Sequence, residues 1–214
     1  MILSPPLAAM LVLAGLLPAR AWSAGSSPAD RALAVAERNV APGRADTYVA
    51  LAAAFMAKAR ESADPAYYTR AGAALDRALA VEPTSYEALR ARAWVQLGQH
   101  DFRGALATAT QAQGLRPDDW WNYGTLTDAH VELGQYDQAE DAAQEMLDRR
   151  PGLPAYTRAA FLRTLFGDRD GAIEMLERAA AAGGAQDGES LSWTLVHLGH
   201  EHFGRGDLAA AGAV

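Results

Sequence analysis

Cysteine is absent from the 214 residues. Disulfides, thiolate metal sites, cysteine nucleophiles and lipid-bearing cysteines are therefore excluded. Lysine is nearly absent: of 19 basic residues, only Lys58 is not an arginine. Acidic residues number 26, leaving a formal net charge of −7 and a pI of about 5.2. Such a chain lacks the basic face that grips nucleic acid, so no nucleic-acid partner is expected. It is also poorly suited to an anionic membrane surface. No apolar run approaches the roughly 20 residues of a membrane span. No segment alternates apolar β-branched residues, so no sheet is expected. The patterns G-x-x-x-x-G-K-[ST] and G-x-S-x-G are both missing. What is plentiful is alanine and arginine, a usage that reads as a GC-rich, bacterial codon bias. The length suits one or two domains or one modest repeat array.

The first residues, "MILSPPLAAMLVLAGLLPARAWSAGSS", read as an address. An apolar run from Leu7 to Leu17 is broken by Pro18 and followed by small residues in A-x-A-like form. That is the layout of a secretory signal peptide, here residues 1–23. Cleavage would start the mature protein at Trp22 or Ala24. The expected location is the periplasm or outside the cell, with no membrane insertion after cleavage.

Two phrases in the chain echo each other, "LGQHDFRGA" at 97–105 and "LGQYDQAE" at 133–140. Proline measures the period better: Pro83, Pro117 and Pro151 are 34 residues apart. Ahead of each lies a frame of small or apolar residues in one register. The frames are Ala71-Leu75-Ala78, Ala105-Ala109-Ala112 and Ala139-Ala143-Met146; a fourth, Ala172-Leu176-Ala179, comes one residue early. Offsets of 4 and 7 place each frame on one helical face. Small residues there let two helix backbones approach closely. Proline then stops the helix, because it lacks the N–H and clashes with the preceding turn. Caps follow: Thr84 with Glu87 in a capping-box spacing, and Asp118 or Asp119 before Trp120. A second helix runs from there to a polar turn, "GQHD", "GQYD", "FGDRD" or "GRGD". Phe102 and Tyr136 match in this register and are expected to plug the joint between paired helices.

This pattern resembles the tetratricopeptide repeat, a helix–turn–helix unit of about 34 residues. Its first-helix positions fall on Leu195, Leu198-Gly199 and His202 in the last unit. In the earlier units they fall on Tyr123, Leu126-Thr127 and His130, on Tyr156, Ala159-Ala160 and Arg163, and on Leu89, Arg92-Ala93 and Gln96. Arg92 stands where the pattern is apolar. The resemblance implies an all-α, right-handed superhelical solenoid of antiparallel helix pairs. About four full repeats are expected, with an N-terminal helix and a truncated last repeat. Residues 24–45 are read as linker and packing helix, running from Ser27-Pro28 to about Val40. The array covers 46–214 in units of about 46–83, 84–117, 118–151, 152–184 and 189–214. The glycine-rich stretch 179–190 reads as a long junction. The short apolar end, "LAAAGAV", reads as the cut end of a longer array or as a face packed on another chain.

In arrays of this family the first helices line a concave groove that takes a peptide or a partner protein. By register its exposed positions here are Arg90, Trp94, Trp121, Thr125, Asp128, Thr157, Arg158, Phe161, His197 and His200. Trp94 and Phe161 fit inter-repeat packing equally well. Aromatic and arginine side chains are the types that anchor interfaces. The lysine and asparagine of the family's carboxylate clamp have no counterpart. Expected from this is a non-catalytic interaction scaffold that binds a protein or peptide and needs no cofactor or metal. Two alternatives stay open: a regulatory segment of a longer exported enzyme, and a periplasmic metal-binding protein using His197 and His200. His202 occupies a packing position and is expected to face inward.

Overall fold

A computed structural model describes residues 27–184 and 187–214; the expected signal segment lies outside the described residues. Among those residues every regular element is a helix. A lone helix, α1 (Pro28–Arg38), precedes five pairs. These are α2 (Ala45–Ser62) with α3 (Ala66–Val81), and α4 (Tyr86–Gly98) with α5 (Phe102–Leu115). Next come α6 (Trp120–Glu132) with α7 (Tyr136–Arg149), and α8 (Leu153–Leu165) with α9 (Arg169–Ala182). The last is α10 (Gly188–Arg205) with the short α11 (Leu208–Ala211). The first helices α2, α4, α6, α8 and α10 pack on one another in succession as an inner layer. Each outer helix, α3, α5, α7 or α9, packs on its own partner and on the next inner helix. The chain is a helix-pair solenoid.

The seam between the layers is built from the four frames read in the sequence. All twelve of their side chains are buried, from 0 to 3% exposed. An outer helix must touch two inner helices at once, and a methyl group at the crossing is what allows both approaches. Leu75, Met146 and Leu176 fill the wider gaps and are among the largest fully buried side chains.

The polar turns share one geometry. The amide of Asp101 donates to the carbonyl of Gln96 at 2.9 Å, and that of His100 to Leu97 at 3.0 Å. The same two bonds recur at Gln135–His130 and Gly134–Val131, at Asp168–Arg163 and Gly167–Thr164, and at Asp207–His202 and Gly206–Phe203. This is the Schellman termination, which needs one left-handed residue just past the helix. Glycine supplies it at Gly134, Gly167 and Gly206, whereas His100 takes it with φ 60°. The next residue caps the outer helix: the carboxylates of Asp101, Asp168 and Asp207 accept from the amides of Gly104, Gly171 and Ala210, each at 3.0 Å. Side chains reinforce the turn five residues apart, as Gln96 to Asp101, His130 to Gln135 and Arg163 to Asp168. Thus the second echo phrase keeps its turn without an aspartate cap. His100→Gly is expected to raise stability by about 1 kcal/mol, since a Cβ in this region is strained. Urea unfolding of the two proteins checks it, and a loss of stability would show that the edge contact of His100 with Phe102 outweighs the strain.

Several expectations are corrected. The Thr84–Glu87 capping box does not form: Ser85 is the N-cap and makes no side-chain cap bond. Glu87 pairs instead with Arg116 at 2.8 Å. Of the two candidate caps, Asp119 is the one, accepting from the Trp121 amide at 2.9 Å. Helix α1 stops at Arg38, and Val40 packs on the core from the loop beyond it. Tyr136 plugs no joint: it is 43% exposed and meets the edge of Phe166. The 179–190 junction is short, because α9 runs to Ala182 and α10 begins at Gly188. Arg92 is accommodated by Asp76, at 2.5 Å, and by the carbonyl of Gly72, at 3.0 Å. His202 is buried, as its register implies.

Candidate binding groove

The inner layer encloses a cavity of about 580 Å³ to which all five inner helices contribute. Arg60 comes from α2, Trp94 from α4, and Trp121 and Asp128 from α6. Helix α8 supplies Leu153, Pro154, Thr157, Arg158 and Phe161, and α10 supplies Glu189, Ser190 and Trp193. Trp94, Phe161 and Trp193 are 38, 42 and 43% exposed, so each ring is partly open to solvent although its stem is held.

The tryptophans are set against each other edge to face. Trp121 meets Trp94 at 6.1 Å and Trp120 at 5.4 Å, both at 87°. Edge-to-face contact is a favoured arrangement of aromatic rings and holds the three side chains in place. Trp120 is anchored from behind by Arg150, 4.7 Å from its ring centre, as Tyr86 is by Arg116 at 4.4 Å. In both cases the arginine stands just before the repeat's proline. Tyr86 also donates to the Asp119 carboxylate, which ties α4 to the start of α6. Burial first, then that carboxylate, pushes the Tyr86 phenol far above its ordinary range, so it stays a donor.

Two polar groups in the groove, Arg158 and Asp128, are already committed to each other. Arg158 Nε and Nη2 donate to the two Asp128 oxygens at 2.8 and 2.6 Å. Nε also reaches the Gly124 carbonyl at 3.1 Å, and Nη1 the Pro154 carbonyl at 3.0 Å. A Cβ at Gly124 would lie 3.0 Å from Arg158 Cζ, so glycine seats this strut without a shift of its neighbours. Arg158 and Asp128 therefore brace α6 to α8 and do not stand free for a ligand. At the mouth, Arg60 Nε lies 3.9 Å from Glu189 Oε2, and its guanidinium covers Trp94 at 5.2 Å. This contact joins the first and last pairs.

Of the ten residues expected in the groove, Trp94, Trp121, Asp128, Thr157, Arg158 and Phe161 line the cavity. Arg90, Thr125, His197 and His200 do not. Thr125 is only 4% exposed, packed within α6's buried face. Arg90 turns to Asp119 at 3.4 Å. His197 stacks on Trp193 with ring centres 3.7 Å apart, and His200 follows at 5.9 Å. Among the described residues no group of three His, Asp or Glu could hold a metal ion, so this pair has no third ligand there. Arg60 and Trp193 escaped the register: the enlarged turn at 61–66 displaces the first unit, and α10 enters the groove by its N-terminal turn.

Burial and the neighbouring His200 hold the His197 imidazole below the ordinary histidine value of 6.5. As pH falls, the unfolded chain takes this proton first, so stability falls through the window just below 6.5. Proton NMR of the His197 ring is expected to show a midpoint below that value, moved upward by Trp193→Ala. An unshifted midpoint in the parent protein would contradict the stacked, shielded ring.

An inner layer with partly exposed aromatic rings and an outer layer of packing helices define the chain as a superhelical repeat protein with a concave groove. Residues 96–161 match the family model described as Tetratricopeptide repeat, and the helix-pair solenoid in which they lie has that repeat's fold. Among solved structures, a thermophilic TPR protein of Thermus thermophilus is similar at 22% identity and TM-score 0.67, covering 79% of this chain and 87% of that one. The hetero-tetramer Cut9–Hcn1 of the APC/C aligns at 15% identity and TM-score 0.75, over 86% of this chain and 35% of that one. MamA of Desulfovibrio magneticus RS-1 aligns at 16% identity and TM-score 0.55, over 76% of this chain and 89% of that one. At these identities the likeness is one of fold. No curated protein matches. Among the described residues no helix is long and apolar enough to cross a membrane.

Proposed function

We propose that this protein is a non-catalytic scaffold, exported by a bacterium, that holds a peptide or protein segment in the concave groove. The observation that carries the reading is the row of half-open aromatic rings, Trp94, Trp121, Phe161 and Trp193, around one cavity. Interface energy concentrates in tryptophan, tyrosine and arginine seated in pockets of this kind. The preset struts support it too: Arg158–Asp128 fixes the wall before any partner arrives, which lowers the ordering cost of binding.

A photo-crosslinking residue at Phe161, in cells, tests the reading. It is expected to trap a protein partner that the same residue at the exposed Gln111 of α5 does not. Equal capture at both positions, or none at Phe161, would count against a groove-bound partner. Fractionation of the expressing cells tests export.

A further inference from the structure

This inference rests on the groove being the binding surface and names the chemistry of what it takes. Two guanidinium groups sit in the cavity, and they are held in opposite ways. Arg158 is fixed by two bonds to a carboxylate and by carbonyls of two helices. Arg60 rests on the open face of Trp94, opposite a carboxylate 3.9 Å away. That distance is too long for a hydrogen bond. Its side chain is 39% exposed, and that of Glu189 is 82% exposed. The seat is thus complete for a planar cation: an aromatic face below it, a carboxylate beside it, and a second tryptophan, Trp193, along the same wall. Its present occupant is loosely held.

We infer that this seat receives an arginine side chain from the partner segment, and that Arg60 keeps the place until it arrives. An incoming guanidinium gains the same aromatic face and the same carboxylate. Arg60 then swings to solvent, which its exposure allows. Guanidinium groups stack on aromatic faces and pair with carboxylates in a plane, which a lysine ammonium cannot do as well. The net charge of −7 favours the approach of a basic segment. Binding also exchanges the Arg60–Glu189 contact for one made by the ligand, so the mouth between α2 and α10 is released as the seat fills.

Three short capped peptides, alike but for one central residue, provide the test. That residue is arginine, citrulline or glutamate, and binding is followed by the tryptophan indole N–H signals. The arginine peptide is expected to bind about tenfold more tightly than the citrulline peptide, the size of a cation–π and carboxylate contribution. Glu189→Gln, at a solvent-exposed site, is expected to weaken the arginine peptide about fivefold. Arg60→Ala is expected to strengthen it about threefold, because a competitor is removed from the seat. A preference for the glutamate peptide, abolished by Arg60→Ala, would overturn the arginine seat and leave the scaffold reading standing. Failure of all three to shift any groove signal would overturn the seat; the scaffold reading falls only if the Phe161 crosslink is absent too.

Discussion

Leu75→Ala is expected to lower the unfolding free energy by about 3 kcal/mol, within the roughly 2–5 kcal/mol spread for emptied leucine sites. Leu75 has no exposed surface and lies among Met56, Ala71, Ala74, Ala78 and Val95. Those neighbours belong to α2, α3 and α4. Three helices therefore meet at one side chain, and alanines line much of the space around it. Methyl groups have no rotamers with which to fill a void, so the site collapses poorly. Guanidinium unfolding followed by circular dichroism measures the effect. Leu115→Ala is the control: its side chain is 44% exposed, and a change within about 0.5 kcal/mol is expected. A Leu75 variant as stable as that control would contradict a close-packed seam. Repeat arrays can unfold in stages, so the first pair should be followed by its own probe.

Trp121→Ala is expected to weaken partner binding about thirtyfold, which corresponds to about 2 kcal/mol at a hot spot. Trp121 is the centre of the aromatic row, with Trp94 on one side and Trp120 on the other. Removing it deletes contact area and frees Trp94 to tilt into the gap. The variant should reduce crosslinking from Phe161 in proportion. Because Trp121 is half-buried, a loss of fold could imitate a loss of binding; Phe161→Ala removes a ring that is 42% exposed and serves as the second variant. It should weaken binding while leaving the melting curve in place. Binding unchanged in both variants would place the partner elsewhere on the molecule.

The outer helices were the legible half of this fold. Their frames occur at fixed offsets, and a residue pressed between two helices has few substitutes. The inner helices were harder to read because they answer to two surfaces, the seam behind and the groove in front. Arg92 shows the conflict: it stands in a packing register and escapes to Asp76. The echo phrases show another. In "LGQYD" Gly134 is the left-handed residue that ends α6. In "LGQHD" that position is His100, and Gly98 is still helical. Gly98 is there because a Cβ would run into the Tyr68 ring. The same dipeptide answers to backbone conformation in one repeat and to a neighbouring side chain in the other. Asn122 left no periodic signal at all, yet it is fully buried and donates to the Ala109 carbonyl at 2.8 Å. In the groove, register alone placed side chains by direction and said nothing of their partners. It could not tell Arg158, spent on Asp128, from Arg60, which comes from outside the repeat's regular spacing.

The layered seam also orders events in time. Each outer helix finds its two inner partners among its immediate neighbours along the chain, so the loops to be closed are short. Chains dominated by such local contacts fold quickly, in microseconds to milliseconds. Among the described residues the Arg60–Glu189 contact is an exception, since it closes a loop spanning nearly the whole array. Its two sides are brought together only by the stacking of the helices between them, and a 3.9 Å approach of exposed side chains adds little hold of its own. The mouth of the groove is therefore assembled last and reports whether every repeat behind it is in place.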